Sequence, residues 1–330
     1  MRRRTDSNSV NLGLHRFAVL TAVATILLIV AGGLVTSTES GLSVPDWPTT
    51  YGQNPFTFPI SKWVGGIRFE HTHRLIASTV GLLTVVLAVW LARREPRPWV
   101  RRLGYAALAA VIAQGVLGGL TVKFLLPTSV SVAHACLAQT FFCLIVTLAV
   151  VTSPAWRDSR GVEAAAVSRA AAATVGMVFL QLLMGAVMRH TKAGLAIPDF
   201  PLAFGKLVPP IASFPVAIHF AHRIGAVLVA LLAISCWVAA RRASRSDLKG
   251  TAAILLGLVL FQIALGAATV LSRKDVTLTT AHVATGALVM GAALILALKS
   301  RREASREAAA RKSTVSASES RAQVGREVVA

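Results

Sequence analysis

Eight apolar stretches, at residues 17–36, 69–92, 102–122, 131–152, 168–188, 216–240, 251–271 and 278–298, leave this chain few folds to choose from. Each approaches the ~20 residues that a helix needs to cross the hydrocarbon core of a bilayer. Inside lipid only helices and closed barrels satisfy their own backbone polar groups, and runs this long and continuous are helical. Composition agrees, because 55% of the 330 residues are hydrophobic, 15% are charged and the mean hydropathy is +0.65. The expected fold is an all-α integral membrane protein with eight transmembrane helices. Arg2 to Arg4 before the first run imitate a signal peptide. That run is longer than a signal's apolar region and ends in Thr36-Ser37-Thr38-Glu39 rather than at a small-residue cleavage site, so it reads as a retained first helix.

A net charge of +20 would suggest nucleic acid in a soluble protein. Here the excess lies between apolar runs, and no zinc-type cysteine spacing, phosphate-cradling glycine loop or RNA-binding signature accompanies it. Nucleic acid is therefore not an expected partner; the lipid bilayer is. One set of segments carries Arg2, Arg3, Arg4, Arg16, then Arg93, Arg94, Arg97, Arg101 and Arg102, then Arg157 and Arg160, then Arg241, Arg242, Arg245 and Lys249, then a basic tail. The opposite loops carry Lys62, Arg68, Lys123, Arg189, Lys192, Lys206, Arg273 and Lys274. The first set is about threefold richer, which puts both termini in the cytoplasm of a plasma-membrane protein. Cys136, Cys143 and Cys236 all fall inside apolar runs, where they read as small buried residues and offer no loop disulfide.

The halves repeat. Ser40-Gly-Leu-Ser-Val-Pro-Asp-Trp-Pro48 returns as Ala193-Gly-Leu-Ala-Ile-Pro-Asp-Phe-Pro201, His73-Arg74 as His222-Arg223, Gln114-x-x-x-Gly118 as Gln262-x-x-x-Gly266, and Ala133-His134 as Ala281-His282. The offsets are 153, 149, 148 and 148 residues. Each copy contains four spans, so both enter the membrane in the same direction, as two four-helix bundles related by a pseudo-two-fold axis along the membrane normal. The expected organisation is a cytoplasmic N-terminus (1–15), a first bundle (16–152), a cytoplasmic linker (153–167), a second bundle (168–299) and a disordered basic cytoplasmic tail (300–330). Gly32, Gly33, Gly115, Gly118, Gly119, Gly185 and Gly266 are expected to let helix backbones approach. Gln114, Gln181 and Gln262 are expected to hydrogen-bond between helices or to contact a cofactor.

Four of eight histidines occupy matched positions: His73, His134, His222 and His282. Polar and ionisable side chains within spans are expensive and mark functional sites. Each of the four opens an even-numbered helix near the outer face, and helices two and four of a bundle can face each other across its interior. Two imidazoles so placed can hold one planar macrocycle; heme is favoured over zinc, which normally needs a third protein ligand. Arg74 and Arg223 follow the first histidine of each pair and could pair with a heme propionate or act as interfacial anchors. The halves differ at Glu70, which lies three residues before His73 on the same helical face and aligns with His219. A carboxylate beside a macrocycle suits proton transfer, so the first half is expected to do chemistry and the second to carry electrons. The plainer alternative is that Glu70 pairs with Arg74 or caps its helix.

In Glu70-His-Thr-His-Arg74, the two Gly-Leu-x-x-Pro-Asp-aromatic-Pro loops and the four paired histidines, the chain resembles the heme A synthase family over about residues 16–298. The resemblance implies oxidation of a ring methyl of heme O to a formyl group by successive hydroxylations, with molecular oxygen and an electron donor. It implies His73 and His134 as axial ligands of substrate heme O, Glu70 as the catalytic carboxylate, and His222 and His282 as axial ligands of a heme b cofactor. It also suggests a link to the farnesyltransferase that makes heme O. Many bacterial members carry a cysteine pair in the first outer loop; this chain has Thr38, Ser40 and Val44 there and no cysteine. Two other classes compete. A di-heme b carrier, such as a quinol-linked cytochrome, needs four histidines but no Glu70. A transporter predicts broken helices at mid-membrane.

Overall fold

The computed structural model describes residues 11–158, 165–243 and 246–301. Among them eight helices are long and apolar enough to cross a membrane: α1 (Leu12–Ser37), α2 (Ile67–Arg94), α3 (Pro98–Lys123), α4 (Thr128–Thr152), α5 (Ala165–His190), α6 (Phe214–Arg242), α7 (Ser246–Leu271) and α8 (Val276–Arg301). No strand occurs among the described residues. The helices extend the expected spans by up to five residues, because polar caps lie outside the apolar runs. Asn11 accepts from the Leu14 amide at 3.0 Å and starts α1, and Asp275 accepts from Thr277 and Leu278 at 3.0 Å and starts α8. Proline occupies the first turn of α3 and α6, where its missing N–H is no loss. The expected linker holds a short helical turn, Pro154–Asp158, and the first residues of α5. Residues 1–10, 159–164 and 302–330, and with them most of the expected N-terminal segment and basic tail, lie outside the described residues.

Packing follows the order of the chain. α2 touches α1 and α3, α4 touches α3 and α1, and so α2 and α4 oppose each other across a ring. α6 packs between α5 and α7, and the Gly286 face of α8 meets Leu182 of α5 and Gln262 of α7. The two sets of four meet along α4–α5 and along α1–α8, where Ile29, Phe142, Val146 and Ala287 form a buried cluster and Gly33 faces Thr280 and Val283. Larger apolar cores fill the two ends that carry Arg93, Arg94, Arg241 and Arg242. One holds Leu14, Leu87, Leu91 and Leu148, and the other holds Leu248, Leu255, Met290 and Leu296.

The repeated loops fold alike. Asp46 accepts from the amides of Tyr51 (2.7 Å) and Gly52 (2.8 Å) and from the Thr49 hydroxyl; Asp199 accepts from Phe204 and Gly205 at 2.8 Å each. Gly52 and Gly205 sit at φ of 73° and 71°, a conformation that glycine adopts without a Cβ penalty. Trp47 of the first loop lies so close to α3 that a side chain at Gly119 would meet its indole ring. Arg74 and Arg223 then tie each loop to its helix. Arg74 donates to the carbonyls of Val44, Asp46 and Thr49, and Arg223 to those of Ile197, Asp199 and Leu202, the matching positions of the repeat.

Burial tends to raise the Asp46 pKa, but the donors on Gly52, Thr49 and Tyr51 outweigh it and hold the carboxyl below its ordinary value. The Gly205 and Phe204 amides do the same for Asp199. A carboxylate with a depressed folded-state pKa contributes stability above its unfolded pKa of about 3.9, and loses it as pH falls through the lower folded value. Both loops should therefore stay closed at neutral pH and loosen only in strong acid. Asp46→Asn should bring that loosening to pH 7, read as faster cleavage of the 45–62 loop by added protease; an unchanged rate would show that the carboxylate is not what holds the loop.

Candidate heme-binding site

The four matched histidines lie about two turns inside α2, α4, α6 and α8, not at the helix openings, and each rests on a glycine of the preceding helix. A Cβ added to Gly32, Gly118, Gly185 or Gly266 would come within 3.1–3.2 Å of Cε1 of His73, His134, His222 or His282 respectively. Four of the seven glycines expected to serve backbone approach, Gly32, Gly118, Gly185 and Gly266, make room for imidazoles, while Gly33 faces α8. Each ring turns its Nδ1–Cε1 edge to the neighbouring helix, and all four Nδ1 atoms are buried without a hydrogen-bond partner of good geometry. The acceptors on that side are the backbone carbonyls of Leu28, Gln114, Gln181 and Gln262, each one turn before its glycine. A metal-binding histidine commonly turns one ring nitrogen to a carbonyl and keeps the other for the metal. This arrangement leaves Nε2 of His73, His134 and His222 for that role, while Nε2 of His282 lies beside the Gln262 amide.

Three glutamines complete the cradles. Gln114 Nε2 donates to the His134 carbonyl at 3.0 Å and Gln181 Nε2 to the His222 carbonyl at 2.8 Å, while Gln262 Nε2 lies 3.3 Å from His282 Nε2. The first two make the expected inter-helix bonds, and the third reaches the ring itself. The position is Leu28 beside His73, so that cradle has no amide.

Within each set the histidines converge. The ring centroids of His222 and His282 are 6.5 Å apart, with planes inclined at 63°. Two imidazoles that each place Nε2 about 2.0–2.1 Å from one shared metal have ring centres roughly 6–6.5 Å apart. The separation of His222 and His282 is thus what two imidazoles that would hold one iron between them require. His73 and His134 lie on opposed helices within electrostatic reach of each other. Among the described residues no three His, Cys, Asp or Glu side chains come together as a metal site, so any metal held here would take its other ligands from a macrocycle.

Glu70 is buried at 4% exposure, and both its oxygens are engaged. Oε1 accepts from Arg74 at 2.6 Å and Oε2 from the Val44 amide at 2.9 Å. In the second half His219 Nδ1 takes the Ile197 amide, the repeat mate of Val44, at 3.3 Å. Arg74 and Arg223, expected as propionate contacts or anchors, direct their hydrogen bonds to the loops and, for Arg74, to Glu70. Of the other histidines, His15 bonds the Ala149 carbonyl at 3.0 Å and joins α1 to α4. His71 bonds Thr50 at 3.2 Å and packs against Phe58 and Trp63, anchoring the first loop. Cys136, Cys143 and Cys236 are free thiols.

The glycine cradles were overlooked in the sequence although they carried a signal. Gly32 and Gly185 share the offset of 153, and Gly118 and Gly266 that of 148, so they repeat as faithfully as the histidines. Arg189 carried none, since it aligns with Thr36.

A family model described as COX15-CtaA, cytochrome oxidase assembly protein, matches residues 15–63 and 66–298. The chain is 34% identical over 277 residues to a protein named heme A synthase from Shouchella clausii, covering 81% of this chain and 89% of the relative. It is 30% identical over 280 residues to a heme A synthase of Halalkalibacterium halodurans, covering 81% and 90%. A heme A synthase of Caulobacter sp. strain K31 is 30% identical over 330 residues, covering 85% and 94%. With matched loops, cradled histidines and a family model spanning nearly all of its described helices, the chain belongs to the COX15-CtaA family.

Proposed function

We propose that this protein is a heme A synthase, a multi-pass membrane oxidoreductase that oxidises a ring methyl of heme O to a formyl group by successive hydroxylations. The observation that carries this reading is the four-fold recurrence of one device, an imidazole on an even-numbered helix seated on a glycine of the preceding helix with its Nδ1 edge turned to that helix. In this reading α1–α4 form the substrate half, in which His73 and His134 bind heme O, and α5–α8 form the half in which His222 and His282 hold heme b. A pseudo-two-fold axis along the membrane normal relates the two. Both termini face the cytoplasm and both sites lie toward the outer face, because the basic segments mark the inner side.

Heme b, when bound, supplies reversible one-electron transfer. The residues supply the rest. The cradles fix each ring's orientation, and the apolar helix faces exclude water. Glu70 holds a carboxylate one helical turn from His73, where it can take or return a proton at Oε1 or Oε2. A loop staple alone does not demand an acid, since His219 receives the matching amide in the second half without one. Arg74 fixes the carboxylate and opposes its charge.

The engagement of both Glu70 oxygens also favours a second reading, a di-heme b electron carrier in which Glu70 serves the loop only. Identification of the porphyrins in the purified protein, followed by incubation with heme O, separates the two. Heme O or its formyl product alongside heme b supports the synthase, whereas heme b in both sites with no turnover excludes it.

Glu70→Gln keeps the size and the Val44 hydrogen bond. It should leave the heme b spectrum intact and lower formyl product by roughly 10²–10⁴-fold, the usual contribution of a positioned acid or base; near-normal turnover would remove Glu70 from the chemistry. His222→Ala should deplete the low-spin heme b signal, and unchanged heme b would refute the ligand assignment. Gly266→Val should act like a ligand deletion through sterics alone, because its side chain would collide with His282. Full heme b content in that variant would show that the cradle does not position the ring.

A further inference from the structure

Arg189 closes α5 between the two sites, and among the described residues no carboxylate lies within ion-pair distance of it. Both recorded hydrogen bonds come from Nη2, to the Gly33 carbonyl and to Ser37 Oγ, each at 2.9 Å and each on α1. Ser37 Oγ in turn accepts from Thr280 at 3.1 Å, two residues before His282 on α8. Gly33 follows the glycine that cradles His73, and its Cα faces Thr280 and Val283, which bracket His282. The guanidinium is within electrostatic reach of His282, and the next residue, His190, is within reach of His134. The first half carries Thr36 at the matching position, so this cation has no symmetric mate.

A guanidinium held in a low-dielectric setting against neutral acceptors alone is costly, and it favours an anionic partner. Two hydrogen bonds through Nη2 fix the plane of the group, and Nε and Nη1 have no protein partner among the described residues. Both two-point edges of a guanidinium include Nη2, so Nε and Nη1 are left as single charge-assisted donors, each able to take one carboxylate oxygen. Arg74 and Arg223 already direct their donors to the loops.

We propose that Arg189 is the carboxylate-binding residue of the second-half site, taking a propionate of the porphyrin held by His222 and His282, with Gly33 and Ser37 of α1 setting its orientation. The proposal rests on the heme reading of that histidine pair. It makes the second site a shared construction, with ligands from α6 and α8, a cation from α5 and the orienting acceptors from α1. Arg189 is then a positioning residue that also sets redox poise, because a nearby positive charge favours the electron-rich state of the iron and raises its midpoint.

Potentiometric titration of the purified holoprotein tests this. Arg189→Gln should shift the midpoint of the second-half heme downward while its low-spin bands remain, and Arg189→Lys, which keeps the charge but not the planar donor set, should shift it less. An unchanged midpoint in Arg189→Gln with heme retained would overturn the proposal. Should Arg189→Gln fail to accumulate, the unaltered chain prepared without heme decides the matter by its choice between heme b and heme b dimethyl ester. Preference for the free acid by roughly tenfold supports a charge-assisted carboxylate contact, and equal affinity overturns it. If neither porphyrin gives a low-spin spectrum that depends on His222, the heme reading of the pair fails first, a result distinct from equal binding of both.

Discussion

Everything in this fold turns on the contact between an imidazole and the bare backbone of a neighbouring helix. A histidine inside a membrane bundle must be given room without opening a void, and its ring must be kept from rotating. A glycine on the adjacent helix meets both demands. It lets the Nδ1–Cε1 edge lie against the backbone at van der Waals distance, and it brings the carbonyl one turn earlier toward the ring. A single methyl at any of the four glycines would press on the ring at 3.1–3.2 Å. The cradle sets where Nε2 points, and so determines whether two helices can share a metal.

The outer loops serve the same end from above. Their aspartates gather backbone amides, and Arg74 and Arg223 gather backbone carbonyls, so each loop is attached to the helix that bears a candidate iron ligand one residue before its arginine. Loop and ligand therefore move as one unit. Into that unit the first half inserts a carboxylate and the second an imidazole, at the position where a loop amide is received. The asymmetry between Glu70 and His219 thus lies within the best-preserved part of the repeat. The first loop contains no cysteine, and the hydrogen bonds that Asp46 accepts and Arg74 donates hold it.

The eight spans were legible because bilayer thickness sets helix length, and the pairing of histidines was legible because duplication placed them at nearly constant offsets. The direction of Arg74 and Arg223 was not. A guanidinium next to a candidate iron ligand suits a propionate and a loop carbonyl equally well in sequence, and only the folded loop shows six carbonyls converging on the two side chains. The same holds for Glu70, whose spacing from His73 shows that they share a face but not that Val44, 26 residues away, donates to it.

The sequence by itself determined the membrane spans, their number, the duplication and the matched positions of four histidines, since each follows from hydropathy, length or recurrence along the chain. Only tertiary structure decided which edge of each imidazole is buried, which cations the loops take up, and that Arg189 of the second half finds its acceptors on α1 of the first. Those outcomes depend on the rotation of each helix about its axis and on hydrogen bonds between residues as many as 243 positions apart. Spacing along a chain fixes the face a residue shares with its neighbours, but not what that face meets.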